Sequence, residues 1–150
     1  MNELSPELRL NQLLIHLYRS LLQYTAECWP WLDAGENGEC QTLRQMAAAQ
    51  QAQVGRMVEL LMDRGVMVEF DNYPTEYTDL HYVALDYLLG QLIIEEENLL
   101  AEIRSVQGDL ATDREATGLL RDIAGLAQEH LQTLRTLVSQ ASQGTHNAAV

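Results

Sequence analysis

The chain has 150 residues, of which 47% are hydrophobic, and this is enough for one globular domain with a sizeable core. Its 22 acidic residues outnumber the nine cationic ones, all arginine, and the resulting net charge of −13 argues against binding to phosphate backbones. No run of about 18 apolar residues predicts a membrane span, and the first residues lack the pattern of a signal peptide. We therefore expect a single cytoplasmic domain over residues 1–150, in which Cys28 and Cys40 are reduced.

The first predicted helix begins after Ser5 and runs to about Trp29. Ser5 is a suitable N-cap, Pro6 suits the first helical position, and Pro30 would end the helix. Its core-facing stripe consists of Leu10, Leu13, Leu17, Leu21, Tyr24 and Cys28. A second apolar stripe consists of Leu8, Ile15, Tyr18, Leu22 and Trp29. Two such faces predict either a homodimer interface or a central position of this helix in the monomer.

The second predicted helix runs from about Glu39 to Arg64 and would end at Gly65. Apolar residues at spacings of three and four place one stripe along it: Leu43, Met46, Ala47, Val54, Met57, Leu60 and Leu61. Gln50 and Gln53 lie in the middle of that stripe. A helix that only filled a core would carry apolar residues there, because a buried amide without partners costs about 1–3 kcal/mol.

The stretch 66–77 shows no helical period. About twelve extended residues reach roughly 40 Å, which matches the length of a helix of about 26 residues. Antiparallel neighbouring helices need only a short turn, whereas a connection of this length can return the chain to its starting end. We therefore predict that helices 2 and 3 run parallel and are joined by a crossover. Residues 66–70 could instead form a short strand, for which the sequence offers no partner.

The third predicted helix begins near Thr78 and Asp79 and runs to about Val106, where Gln107 and Gly108 would end it. Glu95 falls within its inward stripe. The apolar members of that stripe are Leu80, Ala84, Leu88, Leu92, Leu99 and Ile103.

The fourth predicted helix starts at a capping box formed by Thr112 and Glu115 and extends to about Gln140. Its inward residues are Leu120, Ile123, Ala127, His130, Leu134 and Leu137. Gly118 and Gly125, one heptad apart, indicate either a close approach of two helices or two positions that weaken the helix. Residues 141–150 are predicted to be a flexible tail.

The inward faces bring a small polar group to the middle of the bundle: Gln50, Gln53, Glu95 and His130. The predicted layout resembles the ferritins and bacterioferritins. The resemblance rests on four long helices with one crossover and on the sequence that ends helix 2, Leu61-Met62-Asp63-Arg64-Gly65. The resemblance to the DNA-protecting mini-ferritins is looser. The resemblance to the ferritin family covers about residues 5–140 and implies an all-α, ferritin-like four-helix bundle.

That family holds two irons through a Glu on helix 1, Glu-x-x-His on helix 2, a Glu on helix 3 and Glu-x-x-His on helix 4. Since Tyr24 matches the tyrosine that often follows the first ligand by two turns, the first ligand position falls on Leu17. The other positions fall on Gln50-x-x-Gln53, near Glu95, and on Ala127-x-x-His130. The resemblance thus implies a degenerate di-iron site, because one carboxylate and one imidazole are too few ligands for two irons.

Two interpretations of this polar group remain open. It is either a remnant site that binds a metal or a small polar ligand, or a hydrogen-bonded core layer in which His130 pairs with Glu95. We expect no cofactor and a non-catalytic protein that acts as a homodimer through helix 1 or by binding a protein partner. The alternatives are an iron-binding protein or oxidoreductase of the ferritin class, with iron or another divalent metal, and a bundle that binds a small hydrophobic ligand.

Overall fold

The computed structural model describes residues 5–28, 38–70 and 85–148. Within these ranges the chain is helical and contains no strand, so the predicted all-α class is confirmed. The helices are α1 Pro6–Tyr18, α2 Leu21–Cys28, α3 Gly38–Asp63, α4 Leu85–Asp109 and α5 Arg114–Ala148. None of the described helices is both long and apolar enough to cross a membrane.

The contacts of α1 and α2 with α4 show that they run antiparallel to it. The guanidinium of Arg9, near the start of α1, pairs with Asp109 at the end of α4, with 3.0 Å between nitrogen and oxygen. The N–H of Leu21, at the start of α2, donates to Glu95 in the middle of α4 at 2.7 Å. Residue numbers therefore rise along α1 and α2 as they fall along α4.

The helix α3 is also antiparallel to α1. Arg64, which follows α3, lies 3.4 Å from the carboxylate of Glu7 in the first turn of α1, and Ser20 beyond the end of α1 donates to Gln50 in mid-α3 at 2.8 Å. Because α3 and α4 are each antiparallel to α1, they run parallel to each other. The connection between them continues into residues 71–84, which lie outside the described ranges.

The predicted first helix is interrupted at Ser20 instead of running unbroken to Trp29, which lies outside the described residues. The hydroxyl of Ser20 accepts the N–H of Gln23 at 3.3 Å, as an N-cap does. The carboxylate of Glu95 accepts the N–H of Leu21 at 2.7 Å. Two of the N–H groups at the start of α2, those of Leu21 and Gln23, are therefore satisfied, one by a side chain of α4 and one by a local side chain.

The C-terminus of α3 is closed by Gly65, as predicted. Its φ of 73° lies in the left-handed region, where glycine carries no steric penalty. The N–H of Gly65 donates to the carbonyl of Met62 at 2.9 Å, and the N–H of Val66 donates to that of Leu61 at 3.0 Å. These two bonds form a Schellman motif.

The turn between α4 and α5 differs from the prediction. The helix α4 continues through Gly108, beyond its predicted end near Val106. Asp113, not Thr112, caps α5, because its carboxylate accepts the N–H of Ala116 at 3.2 Å. Aspartate is at least as good an N-cap as threonine, so the adjacent acid provides the cap.

The helix α5 extends to Ala148, beyond its predicted end near Gln140, so that part of the predicted tail is helical. Of the two alternatives for Gly118 and Gly125, the close approach of two helices is wrong. Apart from the helix's own backbone, no described heavy atom lies within 4 Å of the place where a methyl group would stand at either glycine.

Gly118→Ala and Gly125→Ala are each expected to raise the free energy of unfolding by about 0.5–1 kcal/mol, because alanine is the better helix former. Gly65→Ala is the matched control. It should destabilise the protein, since an L side chain rarely adopts the φ of 73° found there. Urea unfolding of the three variants measures the difference, and a destabilised Gly118→Ala would contradict the open space at that position.

The apolar core is divided into two clusters. The first includes, among others, Leu13, Leu17, Val54, Met57, Ile103 and Ile123. The second includes, among others, Leu22, Leu43, Leu88, Leu92 and Leu134. The residues predicted to point inward within 10–24, 43–61, 88–103 and 120–137 are buried or partly buried here. The two clusters meet at a set of buried polar side chains, which we call the polar layer: Ser20, Gln23, Gln50, Glu96 and His130.

Candidate functional site

A small cavity lies beside the polar layer. It is lined by Leu17, Gln50, Gln53, Glu96, Ile123, Leu126, Ala127 and His130. Its volume is about 10 Å³, which is room for about one water molecule. Of the predicted positions, Leu17, Gln50, Gln53, Ala127 and His130 line this cavity, whereas Glu95 does not.

Glu96 and His130 are the ionisable pair of this cavity. Their exposed fractions are only 4% and 5%. The Nδ1 atom of His130 lies 3.6 Å from the Oε1 atom of Glu96, which is too far for a direct hydrogen bond. Among the described residues Nδ1 has no hydrogen-bond partner at all. A buried polar atom left in this way costs about 1–3 kcal/mol, so its surroundings require an explanation.

Glu95, which was predicted to face the site, faces α2 instead. Its carboxylate accepts the N–H of Leu21 at 2.7 Å, where an anion is favoured at a helix N-terminus. Glu96 takes the predicted inward position. The sequence does carry a signal for it, because Glu96 lies seven residues from both Leu89 and Ile103, which are buried and share one helical face with it.

Gln50 is held by hydrogen bonds within the polar layer. Its side-chain oxygen accepts from the hydroxyl of Ser20 at 2.8 Å and from the amide of Gln23 at 2.9 Å. The same amide nitrogen of Gln23 also donates to the carbonyl of Ala47 at 2.7 Å. Sequence reasoning missed Gln23 because the break at Ser20 changes which residues of α2 face the core. The oxygen of Gln50 is therefore already used and is a poor ligand for a metal.

Gln53 lies at the edge of the cavity and is only partly buried. Its side-chain oxygen accepts from Arg56 at 3.2 Å, and Arg56 also pairs with Asp122 of α5 at 2.9 Å. This glutamine thus takes part in a surface contact between α3 and α5. Its position at the rim gives it a smaller role in the site than Glu96 or His130.

The remaining positions of the family pattern supply no ligand, since Leu17 and Ala127 line the cavity with hydrocarbon. In residues 5–25, 41–70 and 87–139, no three His, Cys, Asp or Glu side chains are close enough to hold a metal ion. The polar layer can form hydrogen bonds, but one carboxylate and one imidazole fall short of the four ligands of a structural zinc site.

A scan against models of protein families finds no match to this chain, and a search of the curated proteins finds none at a significant level. The resemblance to the ferritins therefore stays a prediction from the sequence.

Proposed function

We propose that this chain is a ferritin-like helical-bundle protein that has lost its di-iron site and acts as a non-catalytic, self-associating scaffold. The observation that carries the proposal is the chemistry of the cavity lining. Four of the six positions of the family pattern are neutral: Leu17, Gln50, Gln53 and Ala127. Only Glu96 and His130 are ionisable, and two irons need several carboxylates to balance their charge.

The start of the connection after α3 supports the ferritin-like topology. Glu69 exchanges two backbone-to-side-chain hydrogen bonds with Asn11, at 3.0 and 3.3 Å. The ring of Phe70 contacts that of Tyr18, with 4.8 Å between centroids. Residues 66–70 therefore run along α1 in the direction of α1. This direction leads toward the end of the bundle where a helix parallel to α3 begins, as a long crossover requires.

The surface proposed for self-association lies on the outer side of α1 and on the adjacent residues 66–70. Its members, which we call the outer apolar surface, are Leu8, Ile15, Tyr18, Met67 and Phe70. Four of these are large side chains that remain between 43% and 88% exposed, and Ile15 is partly exposed. A two-fold dimer requires only one such self-complementary patch.

Leu22, which was predicted to belong to the second stripe, is not on this surface. It is 2% exposed and packs in the second cluster of the monomer core. The break at Ser20 is the physical reason, because it shifts the helical phase of α2 relative to α1. Trp29, the last predicted member, lies outside the described residues.

Tyr18→Glu combined with Phe70→Glu is expected to convert a dimer into a monomer in analytical ultracentrifugation, because each change places a charge in the outer apolar surface. The matched control is Tyr87→Glu combined with Ile94→Glu on α4, where both side chains are about half exposed. The control should leave the dimer intact. Raising the salt concentration should strengthen wild-type association, because it screens the repulsion between chains of charge −13.

Wild-type protein that stays monomeric at all concentrations would contradict the proposed self-association. Equal dissociation of the Tyr87 and Ile94 control would show that the outer apolar surface is not the interface.

The alternative function, an iron-binding protein or oxidoreductase of the ferritin class, rests on Glu96 and His130. We expect protein incubated with Fe(II) and oxygen to bind less than about two irons per chain and to show no oxo-bridge absorption.

The double variant Gln53→Glu with Ala127→Glu should not restore iron oxidation, since Leu17 still offers no ligand. It should also lower the free energy of unfolding, because it adds buried charge. Iron oxidation by the wild-type protein would support the alternative, whereas iron oxidation by the double variant alone would show that the ligand positions have been assigned wrongly.

A further inference from the structure

We infer that the cavity beside the polar layer is a binding site for a single water molecule, held between His130 and Glu96. The first observation is the Nδ1 atom of His130, which is buried and has no hydrogen-bond partner among the described residues. The second is the cavity itself, which this residue lines together with Glu96. The site is polar on this side and has room for about one water, which are the two conditions that a buried water needs.

The two facing atoms of the pair can share a water that lies beside them in the cavity. Their separation of 3.6 Å is too long for direct bonding and too short for a water on the line between them, and a polar contact of this length raises the question whether water joins the two groups. A water can donate one hydrogen to the carboxylate of Glu96. It can accept from Nδ1 when that nitrogen carries hydrogen, or donate to it when it does not, so either tautomer of His130 is satisfied.

The contacts of the neighbouring side chains favour water over a metal ion. The oxygen of Gln50 already accepts from Ser20 and Gln23, and the oxygen of Gln53 accepts from Arg56. Only Glu96 and His130 would be left to coordinate a cation, whereas a water molecule is satisfied by two to four hydrogen bonds.

The test is nuclear magnetic resonance of the whole chain, with transfer of magnetisation from water to methyl groups in nuclear and rotating-frame Overhauser spectra. We expect cross-peaks with the sign of a long-lived bound water at the methyls of Ala127 and Ile123, which line the cavity. The methyl of Ala116, which is fully buried in the first cluster and does not line the cavity, is the internal control. Ala127→Val should fill the cavity and remove the cross-peak at Ile123.

Several results would overturn the inference. Wild-type spectra without the cross-peaks would mean that no long-lived water is present, and this comparison stands even if Ala127→Val does not fold. Cross-peaks at Ile123 that persist in a folded Ala127→Val protein would place the water elsewhere. Loss of the cross-peaks after dialysis against EDTA would show that a metal ion organises the site.

Discussion

His130→Leu is expected to lower the free energy of unfolding by about 3 kcal/mol. His130 and Glu96 are each about 95% buried, with 3.6 Å between their facing nitrogen and oxygen atoms. Removing one partner of a buried ionisable pair typically costs about 3–5 kcal/mol, because the other is left without compensation. We expect the lower end of that range, since the contact is longer than a hydrogen bond and leucine fills most of the space of the imidazole.

Glu96→Leu combined with His130→Leu should recover most of the loss, because replacing both members of a buried pair by apolar residues is often neutral or stabilising. Arg135→Leu is the control, since it removes the cation that lies 3.2 Å from Glu97 in a pair more than half exposed on both sides. Its effect should stay within about 0.5 kcal/mol. Urea unfolding at neutral pH compares the four proteins, and an unaffected His130→Leu variant would contradict a coupled pair.

The helical periodicity of the sequence predicts much of the core, although it misses buried residues such as Leu14 and Leu89. Positions such as Leu43, Met57 and Leu61 on α3, and Leu120 and Leu134 on α5, are buried as their spacing indicates. Burial of this kind depends only on which face of a long helix is apolar. The end of α3 was predictable for a similar local reason, because glycine is the usual residue at the left-handed position beyond a helix C-terminus.

The break at Ser20 could not be predicted from the local sequence. Leu17 and Leu21 continue the same stripe on either side of it, and serine also occurs inside helices. The break is stabilised by groups distant in sequence, since Glu95 accepts the Leu21 N–H and Gln50 accepts the Ser20 hydroxyl. A helix prediction from local sequence uses residues within about one turn of each position. These partners come from other helices and are brought close only by tertiary packing.

The exchange of Glu95 for Glu96 in the site follows from the same break. Both residues lie near the inward face of α4. The spacing of Glu96 from Leu89 and Ile103 favours an inward position for it, and Glu95 also falls within the predicted inward stripe, so periodicity is compatible with either. The exposed N–H of Leu21 attracts the carboxylate of Glu95, which leaves Glu96 to face His130. The level of the polar layer was thus predictable from the stripes, while the carboxylate that faces His130 depended on the conformation of a different helix.

Three helices meet at Arg64. Its guanidinium forms two hydrogen bonds with the carboxylate of Asp113, at 2.7 and 2.8 Å, and lies 3.4 Å from Glu7 of α1. The same carboxylate caps α5 by accepting the N–H of Ala116 at 3.2 Å. The hydrogen bonds from Arg64, aided by that N–H, hold the pKa of Asp113 below its usual value. The neighbouring carboxylates, in turn, raise the pKa of Arg64.

Asp113→Asn is expected to lower the free energy of unfolding at neutral pH by about 1–2 kcal/mol, between the costs of exposed and buried pairs. Asparagine caps a helix as well as aspartate does, so this loss reports on the pairing with Arg64.

The pKa of Asp113 is lowered in the folded protein. The contribution of Asp113 to the free energy of unfolding is therefore complete above the unfolded pKa of about 3.9 and is lost as the pH falls through the folded pKa. The difference between wild type and variant in urea unfolding should therefore be constant near neutral pH and shrink below about pH 4. Asp109→Asn removes the same charge from a 58% exposed partner of Arg9 and should cost less than about 0.5 kcal/mol; an equal loss in the two variants would assign the effect to net charge instead of to the contact with Arg64.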